Sequence, residues 1–183
     1  DLPGFESRFN KYLQENIINK VSAFNMFFQK WRQSITKTID QLNSYLVRID
    51  FKDAPKTYIQ LVAAKRLNVD LKEFQDLLSS AIPNIHEMNS TIDGSRIHFE
   101  QHIEPLMSRL QDESWRKLVM DVRGWYTYKA EEFYQDDDQK RNTYEAMGQL
   151  SGGEKAQLTY TILGSAIAYQ FGLTKNGLDS SFR

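Results

Sequence analysis

The sequence predicts an α/β fold: an antiparallel or mixed sheet flanked by helices, with one long helix leaving the body. Three observations carry this. Apolar residues recur every three or four positions through the first third of the chain, short runs rich in β-branched and aromatic residues follow, and a last apolar helix opens at a Ser-Gly-Gly-Glu turn.

The long helix is traced by Phe5, Phe9, Leu13, Ile17, Val21, Phe24, Phe28, Trp31, Ile35, Ile39, Leu42 and Leu46. Steps of three and four place these side chains on one stripe. Lys11, Glu15, Lys20, Lys30 and Lys37 occupy the other face. At about 1.5 Å per residue the element would reach roughly 60 Å, longer than a compact domain of this size needs. Residues 1–44 therefore read as a coiled-coil-like arm entering a globular base at 45–183, or as an ordinary long bundle helix.

Two strands are predicted next, Tyr45–Phe51 and Thr57–Ala63, joined across Lys52–Lys56. A short amphipathic helix, Leu71–Ile82, stops at Pro83, and a polar stretch containing Asp93-Gly94 follows. Ile97, Ile103, Leu106 and Leu110 mark a third helix. Leu118–Val122 and Trp125–Tyr128 read as a strand pair around Arg123-Gly124. Gln135–Arg141 reads as an acidic, polar linker, and the final helix as Gly152 to about Phe171.

Composition narrows the function classes. The 183 residues are 40% hydrophobic and 26% charged, which suits a folded chain. The net charge of −1 gives no general argument for nucleic acid. With no cysteine, disulfides and thiolate metal sites are excluded, and a reducing compartment fits. No apolar run approaches the ~20 residues that span a bilayer, and no signal-peptide pattern opens the chain. The expected location is cytoplasmic, without a membrane partner.

The chemistry concentrates at Leu150-Ser151-Gly152-Gly153-Glu154-Lys155. Ser151 followed three residues later by Glu154 is a capping box, and a capped helix needs no ligand. Capping leaves the glycines unexplained. Each costs roughly 1 kcal/mol against alanine in a helix, and both fall in the first turn. Glycine there makes sense if another surface must approach the backbone closely. A helix N-terminus also offers amide donors and partial positive charge, the arrangement that binds phosphate. A plain cap and an anion site both remain open on these residues.

This turn and the helix behind it resemble the signature motif of ABC-type ATPases, in the form found in SMC proteins and their SbcC/Rad50 relatives. Further stretches, Ile39–Phe51 with Thr57–Ala63, Asp121–Phe133 and Ser151–Gly172, look like the C-terminal head lobe of Wadjet-type, MukB/MksB-like motor subunits. The resemblance implies an ATPase head lobe in which Ser151, Gly152, Gly153, Glu154 and Lys155 contact, in trans, ATP held on a partner head. Leu150 would pack under the turn. ATP and Mg2+ would be held mainly by residues outside this chain. Implied partners are a second motor head, a kleisin, a winged-helix accessory subunit, a nuclease subunit and DNA, with roles in plasmid defence or chromosome condensation. Alternatives are an SbcC/Rad50-type DNA-repair ATPase and a non-catalytic coiled-coil interaction module.

Parts of a complete ATPase are not found. No Gly-x-x-x-x-Gly-Lys-Ser/Thr phosphate loop occurs. No hydrophobic strand ending in Asp-Glu follows the signature, and Ser181-Phe182-Arg183 falls about where the family pattern enters that strand. Leu118-Val119-Met120-Asp121 imitates a Walker B strand, but Val122 follows and the run precedes the signature. The expectation is a fragment without Walker A or Walker B, inactive alone and holding no catalytic residue.

Three lesser candidates complete the reading. His98 and His102 flank Glu100, but the carboxylate is misplaced for a zinc hydrolase and no third ligand is evident. Trp115, Arg116, Lys117, Arg123, Trp125, Tyr126, Tyr128 and Lys129 form an aromatic and basic group that can touch nucleic acid or simply alternate on strands. Asp136-Asp137-Asp138 reads as a solvated loop rather than a metal cluster.

Overall fold

The computed structural model describes residues 4–5, 8–9, 12–83, 94–145 and 150–172. It is a mixed α/β fold whose chain divides into two compact units, residues 1–33 with 65–125, and residues 34–64 with 126–183. A π-helical stretch, Leu13–Ile18, runs into α1 (Asn19–Leu46). Then come β1 (Lys52–Asp53), β2 (Lys56–Lys65) and α2 (Val69–Ser80). A helical run follows as α3 (Gly94–His98), a π-turn (Phe99–Ile103) and α4 (Glu104–Arg109). The chain continues with α5 (Glu113–Met120), a 3-10 turn (Val122–Trp125), β3 (Tyr126–Tyr134), β4 (Lys140–Tyr144) and α6 (Gly152–Gln170).

The first unit is helical around an aromatic core. Phe28 stacks on Trp125 at 5.3 Å and meets Phe74 edge-on at 5.3 Å, while Phe74 meets Trp115 at 5.7 Å. Such ring pairs add about 0.5–1.5 kcal/mol each beyond their buried area. Asn68 caps α2 by accepting from the Leu71 amide, and Asp112 caps α5 by accepting from the Trp115 amide, both at 3.0 Å. Arg109 lies over the Trp115 ring and pairs with Glu73 and Asp112.

The second unit is built on a four-stranded sheet in the order β1-β2-β3-β4. β1 and β2 form an antiparallel hairpin that pairs Lys52 with Thr57. β2 runs antiparallel to β3, since Gln135 reaches Lys56 and Thr127 reaches Ala64. β3 and β4 are antiparallel, with a bulge between Glu132 and Phe133. Leu46, Phe51, Ile59, Ala130, Tyr144 and Leu158 make the core, with Leu61, Leu150 and Ile162 packed against it. Asn43 of α1 acts as a substitute strand: its Oδ1 accepts from the Leu61 amide at 2.7 Å and its Nδ2 donates to the Leu61 carbonyl at 2.9 Å. Two backbone groups of β2 are satisfied by one side chain.

Two predicted strands are corrected. Tyr45–Phe51 is not a strand: α1 continues through Leu46, which is fully buried, and a turn follows. Leu118–Val122 is not a strand either. The buried residues Trp115, Val119 and Val122 lie four and three apart, the period of a helix, and α5 with the 3-10 turn presents them to the core. The predicted linker Gln135–Arg141 is the β3–β4 turn, and Lys140 and Arg141 already belong to β4. Asp93 and Ser181-Phe182-Arg183 lie outside the described residues, whereas Gly94 opens α3.

Replacing Asn43 with Ala would strand both Leu61 backbone groups. The expected loss is about 2 kcal/mol, read as a lower urea midpoint, and an unchanged midpoint would contradict the strand-substitute role.

Candidate functional site

The N-terminus of α6 is the chemically distinctive turn. Ser151 has extended backbone and caps the helix: its hydroxyl accepts from the Glu154 amide at 3.3 Å. The Glu154 carboxylate reaches back, accepting from the Ser151 amide at 3.0 Å and from the Ser151 hydroxyl at 2.8 Å. The bonds from the Ser151 amide and hydroxyl hold the Glu154 carboxyl below the usual carboxylate range, with the Lys52 charge acting in the same sense. The predicted capping box is thus formed. Beneath the turn Leu150 packs on the core, as does Leu158 about two turns further on. Gln157 donates its side-chain amide to the Phe51 carbonyl, tying α6 to the start of β1.

Gly152 and Gly153 are exposed, and a Cβ on either would meet no heavy atom within 4 Å. Among the described residues nothing packs so closely that it requires glycine there. Their amides stand in the first helical turn, where no intrahelical acceptor exists, while the Glu154 amide is taken by Ser151. Lys155 is half-buried, with its amide bonded to the Ser151 carbonyl at 3.0 Å. This set of two open amides and a hydroxyl suits the phosphate oxygens of a nucleotide. It offers nothing equivalent to Mg2+: among the described residues no group of three or more His, Cys, Asp or Glu is placed to hold a metal ion.

Sequence reasoning missed the cluster beside this turn. Glu132 of β3 is fully buried, and its carboxylate accepts from the Tyr144 hydroxyl at 2.5 Å, from Arg141 at 3.0 Å and from Lys52 at 3.4 Å. Burial alone would raise its pKa. The Tyr144 hydrogen bond and the Lys52 and Arg141 charges outweigh burial, and the carboxyl titrates below its ordinary range. Tyr144 moves the other way, pushed up to about 12 by burial and by that bond. Next to it, Glu131 bonds Lys129 at 2.7 Å and Lys140 at 3.0 Å. The available signal was a Glu-Glu pair within one strand facing Lys-Arg in the next.

Several of the lesser candidates are engaged within the fold. Trp115 and Trp125 are buried, and the Trp125 ring nitrogen donates to the Val119 carbonyl at 2.8 Å, so neither can stack on a base. Arg116 donates to the Leu110 carbonyl, Lys117 pairs with Glu113 and Arg123 with Asp121. Tyr126 is half-buried, Tyr128 exposed, and Lys129 bonds Glu131. Within Leu118–Asp121, Asp121 sits at the α5 C-cap, and the Arg123 side-chain bond holds its carboxyl below the usual carboxylate range. The His98 and His102 rings lie 5.0 Å apart, and His98 Nε2 is 3.0 Å from the Ala81 carbonyl. Asp138 accepts from the Tyr58 hydroxyl and Asp137 from the Gln139 amide, so the aspartates shape the β3–β4 turn.

Residues 117–183 match the family model described as "SbcC/RAD50-like, Walker B motif". This part of the chain is therefore similar to the SbcC/RAD50-like Walker B region of an ABC-type ATPase head. No curated protein matches the chain. The family description corrects the expectation that the chain has no Walker B region, because the match covers α6 and runs on to residue 183. The correction concerns the region and not a particular string: residues 152–183 contain two acidic residues, Glu154 and Asp179, and no Asp-Glu pair. The expected inactivity of the chain alone leaned on that absence and loses that support.

Glu132 also sets a pH dependence. A carboxyl held below its unfolded value of about 4.3 contributes stability that is complete above that pH and lost as pH falls through the lower folded value. Glu132→Gln leaves Lys52 and Arg141 facing a neutral amide. It should cost about 3 kcal/mol at pH 7 and flatten the acid limb of the urea midpoint against pH. Wild-type stability at pH 7 would contradict the network's importance.

Proposed function

We propose that this chain is the signature-bearing lobe of an SMC-like ATPase head, in which Ser151, Gly152, Gly153, Glu154 and Lys155 contact ATP bound, with its Mg2+, on a partner head. The observation that carries the reading is the pair of open glycines beside a serine hydroxyl at the start of α6, within a segment matching an SbcC/RAD50-like ATPase region. When bound, ATP supplies the phosphoryl group to be hydrolysed. The chain's own part is positioning and electrostatics: amides of Gly152 and Gly153 aim outward, and the Ser151 hydroxyl turns from Glu154 to a phosphate oxygen. Residues 1–44 serve as the coiled-coil arm and 45–183 as the head lobe, so that engagement of heads moves arms that act on DNA.

Within this class we favour a cytoplasmic, Wadjet-type plasmid-defence motor with a kleisin, a winged-helix subunit and a nuclease subunit as partners. Support for that finer reading is the sequence resemblance of Ile39–Phe51, Thr57–Ala63, Asp121–Phe133 and Ser151–Gly172. An SbcC/Rad50-type repair ATPase is the second reading, favoured by the family match.

Gly153→Ala separates a signature from a mere cap. With open space around the added methyl, alanine should stabilise the fold by up to about 1 kcal/mol. In the intact head it should nevertheless weaken ATP-dependent head engagement, and Ser151→Arg should abolish it. Engagement that survives Ser151→Arg would leave only the cap.

A further inference from the structure

Three features lie outside the proposed contacts: the His98–His102 pair, the apolar groove between α1, the sheet and α6 in the second unit, and the Lys52 cation between Glu132 and the capping box. The histidines lack a third ligand among the described residues, and nothing identifies what would cover the groove.

Lys52 opens β1, and the carbonyl of the residue before it, Phe51, is bonded by Gln157 in the second turn of α6. This bond fixes the start of β1 beside the Ser151 turn. The Lys52 ammonium stands 3.4 Å from both carboxylate oxygens of Glu132 and keeps about a quarter of its side chain exposed. Charge-assisted bonds to carboxylates usually measure about 2.7–2.9 Å, so this contact is loose. Arg141 and Tyr144 hold the same carboxylate at 3.0 and 2.5 Å. Glu132 would therefore stay neutralised and hydrogen-bonded if Lys52 left it.

Glu154 faces the opposite problem. The Ser151 hydroxyl donates to its carboxylate at 2.8 Å, and a hydroxyl that turns to a phosphate withdraws that bond. An arriving phosphate also brings negative charge toward a carboxylate that is already ionised. Lys52 acts electrostatically on Glu154 in the present state.

We propose that Lys52 is a positioning residue for the signature turn, shifting its ammonium from Glu132 toward Glu154 as the Ser151 hydroxyl turns to a nucleotide phosphate. This rests on the reading of Ser151–Lys155 given above. The shift makes engagement less costly by neutralising Glu154, and it leaves the chemistry of hydrolysis to other residues. Lys52 accordingly sets how much ATP is needed, and not the maximal extent of engagement.

The test is a titration of head engagement with ATP in the intact head, comparing wild type, Lys52→Gln, Lys52→Arg, Glu154→Gln, the Lys52→Gln/Glu154→Gln double variant and Ser151→Arg. Lys52→Gln should raise the ATP concentration for half-maximal engagement about tenfold, the size of one charged hydrogen bond, with the maximum unchanged. Lys52→Arg should restore it. Glutamine at 154 keeps the capping box but carries no charge, so adding Lys52→Gln to it should cost nothing further. If Ser151→Arg abolishes engagement while Lys52→Gln matches wild type, the role of Lys52 is overturned and the signature reading stands. An equal penalty for Lys52→Gln with or without Glu154 also overturns it. If Ser151→Arg engages normally, the signature reading falls and takes this inference with it. Should Lys52→Gln lower the urea midpoint, Lys52→Arg decides: normal half-saturation is expected, and a tenfold loss with the charge retained overturns the proposal.

Discussion

The second unit turns on one buried charge. Glu132 sits toward the end of β3 with no exposed side-chain surface, where an isolated carboxylate would be strongly unfavourable. It is tolerated because three side chains from two strands donate to it: Lys52 from β1, and Arg141 and Tyr144 from β4. The requirement works in both directions. Pairing the carboxylate fixes β4 against β3 and holds the short β1 hairpin in place, and the carbonyl before Lys52 in turn anchors α6 through Gln157. The turn at Ser151 is therefore placed by a chain of contacts that begins at a buried ion cluster.

Stability and exposure divide cleanly along α6. One side is anchored by Leu150, Leu158 and Ile162 on the core, by Gln157 on the hairpin and by Tyr169 bonded to Gln41. Its first turn has the opposite character. Two glycines stand in open space, although alanine would suit a helix better. A rigid helix presenting an exposed, donor-rich end is what a phosphate-facing contact requires. Capping alone requires only Ser151 and Glu154.

Much of this could be read from residue order. The capping box was legible because it is local: four consecutive residues decide it. β2 was legible from the β-rich run Thr57–Ala63, and α6 from the Ser-Gly-Gly-Glu turn and the apolar residues behind it; the other side of the hairpin, Lys52–Asp53, reads from sequence as part of the connection. Errors came where local preference and tertiary packing disagree. Tyr45-Leu46-Val47 favours a strand by composition, yet Leu46 packs into the second unit's core as the end of a helix. Leu118–Val122 has the same bias, while Asp112 capping Trp115 and the spacing of Trp115, Val119 and Val122 mark a helix. The Glu132 cluster was hidden for another reason. Its members are 80 and 9 residues apart in the chain, and only strand pairing brings them together.

The central claim is that the Ser151 turn acts on nucleotide held by another head. Linked dimers of the intact ATPase test it most directly. In one dimer, Ser151→Arg is on one head and the phosphate-binding lysine is removed from the other. In the second dimer, both changes are on the same head. If the contact is made in trans, the first dimer keeps one complete site and about half the wild-type hydrolysis, as the symmetry of such a pair requires, while the second keeps none. The reverse pattern, hydrolysis only in the second dimer, would contradict the account.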